Sequence, residues 1–245
     1  MGRKRSHNED DLYMFEEEDL YMVADGMGGH ASGEVASEMA VKTIAQFFEE
    51  TSADEEITWP YKMEKDRGYQ ENRLMAGIKL ANLRIYETAA QNSAQRGMGT
   101  TIVALLLAEG RAYFGHVGDS RIYRLRGDEL EQVTEDHSLL NDNIKMKDLS
   151  DEEIENFPHK NVIVRALGMK ETVQVDVNSE KPQPGDTYML CSDGLNGMIN
   201  DEQIRQIMLE YRNDLETCCD KLIEAANENG GNDNCTVAIV QIGNG

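Results

Sequence analysis

Leu20-Tyr21-Met22-Val23-Ala24-Asp25-Gly26 is an almost wholly apolar run that ends in an aspartate and a glycine. That pattern reads as a strand buried on both faces, with a carboxylate at its end. The same design recurs at Tyr113-Phe114-Gly115-His116-Val117-Gly118-Asp119-Ser120 and at Tyr188-Met189-Leu190-Cys191-Ser192-Asp193-Gly194. Gly231-Asn232-Asp233-Asn234 leads into the strand-like run Cys235-Thr236-Val237-Ala238-Ile239-Val240, and Asn8-Glu9-Asp10 leads into Leu12-Tyr13-Met14-Phe15. Strands that end in carboxylates at one edge of a sheet gather negative charge in one place. Two such charges about 4 Å apart repel by about 4 kcal/mol at an effective dielectric near 20. The cluster therefore needs a cation, and carboxylates without His or Cys partners select hard ions such as Mg²⁺ or Mn²⁺. Asp-Gly is also a strong hairpin signal, so any one of these segments alone reads first as a plain turn. Five of them framed by strands point to a metal-dependent enzyme.

Working outward, Ser32 caps a helix predicted over about 33–50, with Val35, Met39, Ile44, Phe47 and Phe48 on its apolar face. Residues 51–68 read as a polar connection. A second long helix follows over about 70–94, with Leu74, Ile78, Ala81, Ile85 and Ala89 on one side. Runs at 99–108, 111–117, 121–126 and 130–134 are separated too closely for crossover helices and read as antiparallel hairpins. Residues 138–160 are polar and weakly helical. Strands are expected again at 172–178 and 186–191, then helices at 201–211 and 214–228, then a strand at 235–242. The order predicts an α+β fold, with helices on both outer faces of two stacked antiparallel β-sheets.

The chain has 245 residues, within the range of one large domain, and its 40% hydrophobic content suffices for a core. No apolar run approaches the roughly 18 residues of a membrane span, and the start lacks a signal peptide's apolar stretch, so a cytoplasmic protein is expected. The formal charge of −22 argues against nucleic acid or an anionic membrane as partner. The four cysteines lack zinc-site spacing and are expected as free thiols, with Cys191 and Cys235 on neighbouring strands.

Arg5-Ser6-His7-Asn8-Glu9-Asp10 and Ala24-Asp25-Gly26-Met27-Gly28-Gly29-His30 resemble the opening motifs of the type 2C metal-dependent Ser/Thr protein phosphatases in their bacterial form. Gly99-Thr100-Thr101, Gly118-Asp119-Ser120-Arg121, Ser192-Asp193-Gly194 and Gly231-Asn232-Asp233-Asn234 match the later motifs in order, so the resemblance runs from Arg5 to Ile242. It implies a four-layer αββα sandwich spanning 1–245 as a single domain, with a flap at 138–160 beside the metal cleft. It also implies hydrolysis of phosphoserine and phosphothreonine in phosphorylated proteins, the products of a Hanks-type Ser/Thr kinase, by in-line attack of a hydroxide bridging two Mn²⁺ or Mg²⁺ ions. Asp25 is implied to bridge both ions, with the Gly26 carbonyl on one and Asp193 and Asp233 on the other. Asp119 is implied to join Asp193 at a third, weaker ion. Glu9 and Asp10 are implied to orient bound waters, and Arg5 to clamp the phosphate.

Two departures bear on the chemistry. Met27 stands where animal members carry a histidine, which removes one general acid and leaves His30 or a bound water for that task. Gly197 replaces an acidic residue found in some relatives, which weakens the third ion's site. Family domains carry a strand before the Arg5 segment. Here only Met1-Gly2-Arg3-Lys4 precede it, which is expected to leave a sheet position open whether the chain is trimmed or naturally short. The rival reading is a catalytically weak or dead relative that serves as a binding or regulatory module. Retention of Asp25, Asp193 and Asp233 favours the enzyme.

Overall fold

The computed structural model describes residues 1–28, 32–53, 58–141 and 162–243. The first sheet contains β1 (Asp10–Phe15), β2 (Leu20–Met27), β4 (Ile102–Ala108), β5 (Arg111–Val117) and β8 (Asp176–Glu180), in that order, with the short β3 (Gly99–Thr100) also paired to β2. The second sheet runs β10 (Val237–Gln241), β9 (Thr187–Cys191), β6 (Arg121–Arg126), β7 (Glu129–Gln132). Every pairing is antiparallel.

Side chains alternate across a strand, and here both faces are apolar because both are covered. Leu20, Met22 and Ala24 of β2 join one core with helices α1 (Ser32–Ala53) and α2 (Tyr69–Gln91). Val23 of β2 joins Val103, Leu105, Phe114, Ile122, Tyr188 and Leu190 in a core between the sheets. Met189 and Cys191 of β9 face a third core with α4 (Asp201–Glu210) and α5 (Leu215–Glu228). Three apolar layers between four structural layers give the expected αββα sandwich.

The predicted stripe of α2 is buried in full. In α1 the buried face is rotated: Ala36, Ala40 and Val41 lie inward with Ile44, Phe47 and Phe48, while Val35 and Met39 are only partly covered. Gly115 permits the close seating of α2, since a Cβ there would lie 2.9 Å from Leu74 and Ile78 side chains.

Several elements differ from the sequence reading. The 99–108 run breaks at Thr101, whose backbone and hydroxyl turn to Asp25. The strand expected at 172–178 begins only at Asp176, and the Gln174 carbonyl before it accepts from Arg165 Nη1 at 3.3 Å instead of joining the ladder. A four-residue helix, α3 (Asp193–Asn196), stands where a turn was expected. Most of the expected flap, 142–160, lies outside the described residues, as does His30. Its flanks are described and pair with each other: Ser138 bridges Ile163, Leu139 N–H donates to Val162 O and Val164 N–H to His137 O, both at 2.9 Å. The four cysteines are free thiols.

Candidate active site

Antiparallel register sets Asp10 of β1 opposite Asp25 of β2. Where the sheet breaks, two threonines replace the ladder around Asp25. Its carbonyl accepts from Thr101 N–H and Thr100 Oγ1, both at 2.9 Å, and its N–H donates to Thr101 Oγ1 at 3.0 Å. Gly26 is pinned by its N–H to Glu9 O at 3.0 Å. A Cβ on Gly26 would stand 2.2 Å from Gly33 O and 2.4 Å from Glu9 O, so no other residue passes there.

Asp10 ties the two sheets together. Its Oδ2 accepts from Ser192 Oγ and Thr236 Oγ1, each at 2.7 Å, which fixes β1 against the ends of β9 and β10. Asp193 opens α3, and the neighbouring Gly194 lets the 231–234 loop approach, because a Cβ would lie 1.8 Å from Asn234 O. Asn234 anchors that loop to the chain start by accepting from Glu9 N–H and donating to His7 O, both at 3.0 Å. Asp119 sits on the turn after β5, where Ser120 Oγ meets Thr101 Oγ1 at 2.7 Å and so links this turn to the Asp25 strand.

These anchors bring Asp10, Asp25, Asp119, Asp193 and Asp233 into one cluster, as the strand-end pattern predicted. Burial pushes Asp25 well above the ordinary carboxylate range, and the charges of Asp10, Asp193, Asp233 and Asp119 push it further. Asp193 is raised by burial and by Asp233, and it lies within hydrogen-bonding reach of Asp25. Burial lifts Asp10 to about 6 despite its two hydroxyl donors, and lifts Asp119 to about 7 with help from Asp193. Asp10 Oδ1 and Asp119 Oδ1 are buried without a hydrogen-bond partner among the described residues. Converging hard oxygens that repel one another and lack donors are what a divalent cation satisfies, so the donor set fits Mn²⁺ or Mg²⁺.

Arg5 lies at the rim of the cluster. Its Nη2 donates to Asp233 Oδ2 at 2.5 Å, and its Nη1 is 3.9 Å from Glu9 Oε2. The side chain is 46% exposed, which leaves the guanidinium open to an incoming anion.

A second cluster, His116, His137 and Asp176, has ligand atoms within 4.8 Å of one another. His137 Nδ1 accepts from Gly118 N–H at 3.0 Å, so Nε2 carries the proton of the neutral ring and donates to Asp176 Oδ2 at 3.1 Å. Arg165 Nη1 stands 3.0 Å from that nitrogen and 3.0 Å from Asp176 Oδ1. With no lone pair on His137 Nε2 and a guanidinium beside it, this group is a clamp and not a metal centre. His137 N–H also donates to Gly118 O at 2.9 Å, so the clamp grips the residue before Asp119 from both sides.

Sequence reasoning assigned no role to Ser192, Thr236, Asn234 or His137. Ser192 and Asn234 flank candidate ligands directly, and that adjacency of a hydrogen-bonding side chain to a ligand carboxylate was the available signal.

Two stacked antiparallel sheets with an aspartate cluster at their end have the donor set of a divalent-metal site. The protein phosphatase 2C family model matches residues 2–233. The chain is 40% identical to the serine/threonine phosphatase stp of Listeria innocua, covering 98% of this chain and 92% of that protein. It is 36% identical to the protein phosphatase PhpP of Streptococcus pneumoniae, covering 99% and 94%. Its structure resembles the Mycobacterium tuberculosis serine/threonine phosphatase PstP/Ppp with a TM-score of 0.84 at 33% identity, covering 99% and 95%. It also resembles the catalytic domain of PstP in complex with two manganese ions, with a TM-score of 0.80 at 32% identity, covering 98% and 94%. The chain belongs to the protein phosphatase 2C family.

Proposed function

We propose that this chain hydrolyses phosphoserine and phosphothreonine in phosphorylated proteins, with Mn²⁺ or Mg²⁺ as cofactor. One observation carries the reading: five buried or half-buried aspartates converge, and two of their oxygens lack any hydrogen-bond partner among the described residues. Asp25, the Gly26 carbonyl, Asp193 and Asp233 are the residues we assign to two core ions, and Asp119 with Asp193 to a third, weaker one. Bound there, divalent ions supply a water of lowered pKa and offset charge on the phosphoryl oxygens. Arg5 offers a flat fork of donors that matches two phosphate oxygens, and it exchanges its contact with Asp233 for the substrate. Glu9 and Asp10 orient water, Asp10 through the oxygen its hydroxyl donors leave free.

The family relatives named as serine/threonine phosphatases support this reading over a catalytically dead binding module, as does retention of every proposed carboxylate. We further assign 1–245 to one phosphatase domain with a flap at 138–160. By resemblance to bacterial members, we take its substrates to be products of a Hanks-type kinase in the cytoplasm. Among the described residues no helix is long and apolar enough to cross a membrane, which is compatible with that location. Hydrolysis of p-nitrophenyl phosphate and a phosphothreonine peptide with Mn²⁺, with Mg²⁺ and with chelator tests the proposal. Turnover that needs the metal is expected. Absence of turnover, or turnover indifferent to chelator, overturns it.

A further inference from the structure

Of the eight large apolar side chains exposed among the described residues, three lie within residues 162–169: Val162 at 43%, Val164 at 41% and Met169 at 55%. Beside them runs a groove of about 370 Å³ whose walls include Met27, Val164, Ala166, Met169 and Val173. Met27 is two residues beyond Asp25 on β2, so one wall of the groove stands on the strand that carries Asp25.

We propose that this groove seats an apolar side chain of the substrate's own polypeptide, two or three residues from the phosphorylated one. The inference rests on the phosphatase reading above and adds the flanking chemistry the enzyme selects. An extended peptide advances about 3.3–3.6 Å per residue, and Met27 lies about 7 Å along its strand from Asp25. A side chain two or three positions from the phosphate therefore reaches the groove, whereas the immediate neighbour does not. The volume suits a side chain or two and excludes a whole helix, whose diameter is about 10–12 Å.

The groove is built before substrate arrives. Arg165 leaves one wall and binds the other, through Gln174 O at 3.3 Å and Asp176 Oδ1 at 3.0 Å. Both walls are thus held apart at fixed spacing, and an entering side chain need not order them. Charge favours a phosphopeptide over a second copy of this chain. Lys170 lies on the groove without an ion-pair partner among the described residues, and a chain of net charge −22 repels its own copy far more strongly than a peptide carrying one phosphate, for which Arg5 and Lys170 supply local positive charge.

The test uses phosphothreonine peptides that differ only in Leu or Ser at the second and third positions on either side, assayed with Mn²⁺. Wild-type enzyme should prefer Leu by about tenfold in kcat/KM at one of these positions. Non-hydrolysable phosphonate versions, followed by fluorescence anisotropy, should show the same preference in Kd. Val164→Ser combined with Val173→Ser should reduce the preference below twofold. Because the ratio is read on one enzyme sample, partial unfolding cancels. Met169→Ser, at an exposed position, reports a reduced ratio if the double variant does not fold. Equal handling of Leu and Ser by the wild type, or an undiminished preference in the variants, overturns the proposal. Loss of all hydrolysis, including of p-nitrophenyl phosphate, defeats the phosphatase reading alone, and the phosphonate series still decides the groove.

Discussion

Replacing Asp119 by Asn should stabilise the metal-free protein at alkaline pH. Asp119 is 7% exposed, its Oδ1 has no hydrogen-bond partner among the described residues, and its carboxyl is lifted from 3.8 to about 7 by burial and then by Asp193 and Asp136. A folded-state pKa raised above the unfolded value gives stability that is complete below about pH 4 and is lost as the pH rises through about 7. At about 1.4 kcal/mol per tenfold in proton affinity, ionised Asp119 costs the metal-free fold at most ~4 kcal/mol at pH 8. Relaxation around the charge brings the expected gain from Asp119→Asn to about 1–3 kcal/mol. For a chain of this length that is about 5 °C in Tm. Thermal melts by circular dichroism in chelator at pH 5 and pH 8 read it directly. The variant should melt above the wild type at pH 8, with a smaller advantage at pH 5. Saturating Mn²⁺ should raise the wild type more than the variant. A variant less stable than the wild type in chelator at pH 8, or an advantage equal at both pH values, refutes the reasoning.

Asp193→Asn should lower turnover by at least about 100-fold while leaving the circular dichroism spectrum unchanged, because it removes a charge from the cluster and keeps the side chain's shape; wild-type activity at saturating Mn²⁺ would sink the assignment. Arg5→Ala should raise KM about tenfold with a smaller fall in kcat, as loss of uniform phosphate binding requires. Unchanged steady-state kinetics on both small and peptide substrates would return Arg5 to a solvated basic start. Thr236→Val keeps the side-chain shape but removes one of Asp10's two donors, and should cost about 1–3 kcal/mol in urea unfolding. An unchanged urea midpoint would mean that Asp10 does not tie the sheets as described.

The doubly buried strands were legible because their apolar runs serve two cores at once, as Met22 and Val23 of β2 show. The stripe of α2 was legible for the same reason: Leu74, Ile78 and Ile85 all meet one sheet. Local pattern carried no sign of α3, since four residues are too few for a helical period. Nor did it show that Arg73, in the middle of α2, would be buried with Glu18 at 3.0 Å and its guanidinium 4.2 Å from the Phe48 ring centroid. The aspartates of the site were visible at strand ends. Their partners were not, because Asp10 meets Thr236 across 226 positions of sequence and His137 meets Asp176 across 39. Pairings of that span are set by the sheets and not by neighbouring residues.

The central claim is that the aspartate cluster binds the divalent ions on which hydrolysis depends. Its most direct test is a titration of chelator-stripped protein with Mn²⁺ in which bound metal and phosphothreonine-peptide hydrolysis are measured on the same samples. The account predicts two tightly held ions per chain, activity that rises with their occupancy, and loss of both in Asp25→Asn. Full hydrolysis before any metal binds, or metal binding undiminished in Asp25→Asn, would contradict it.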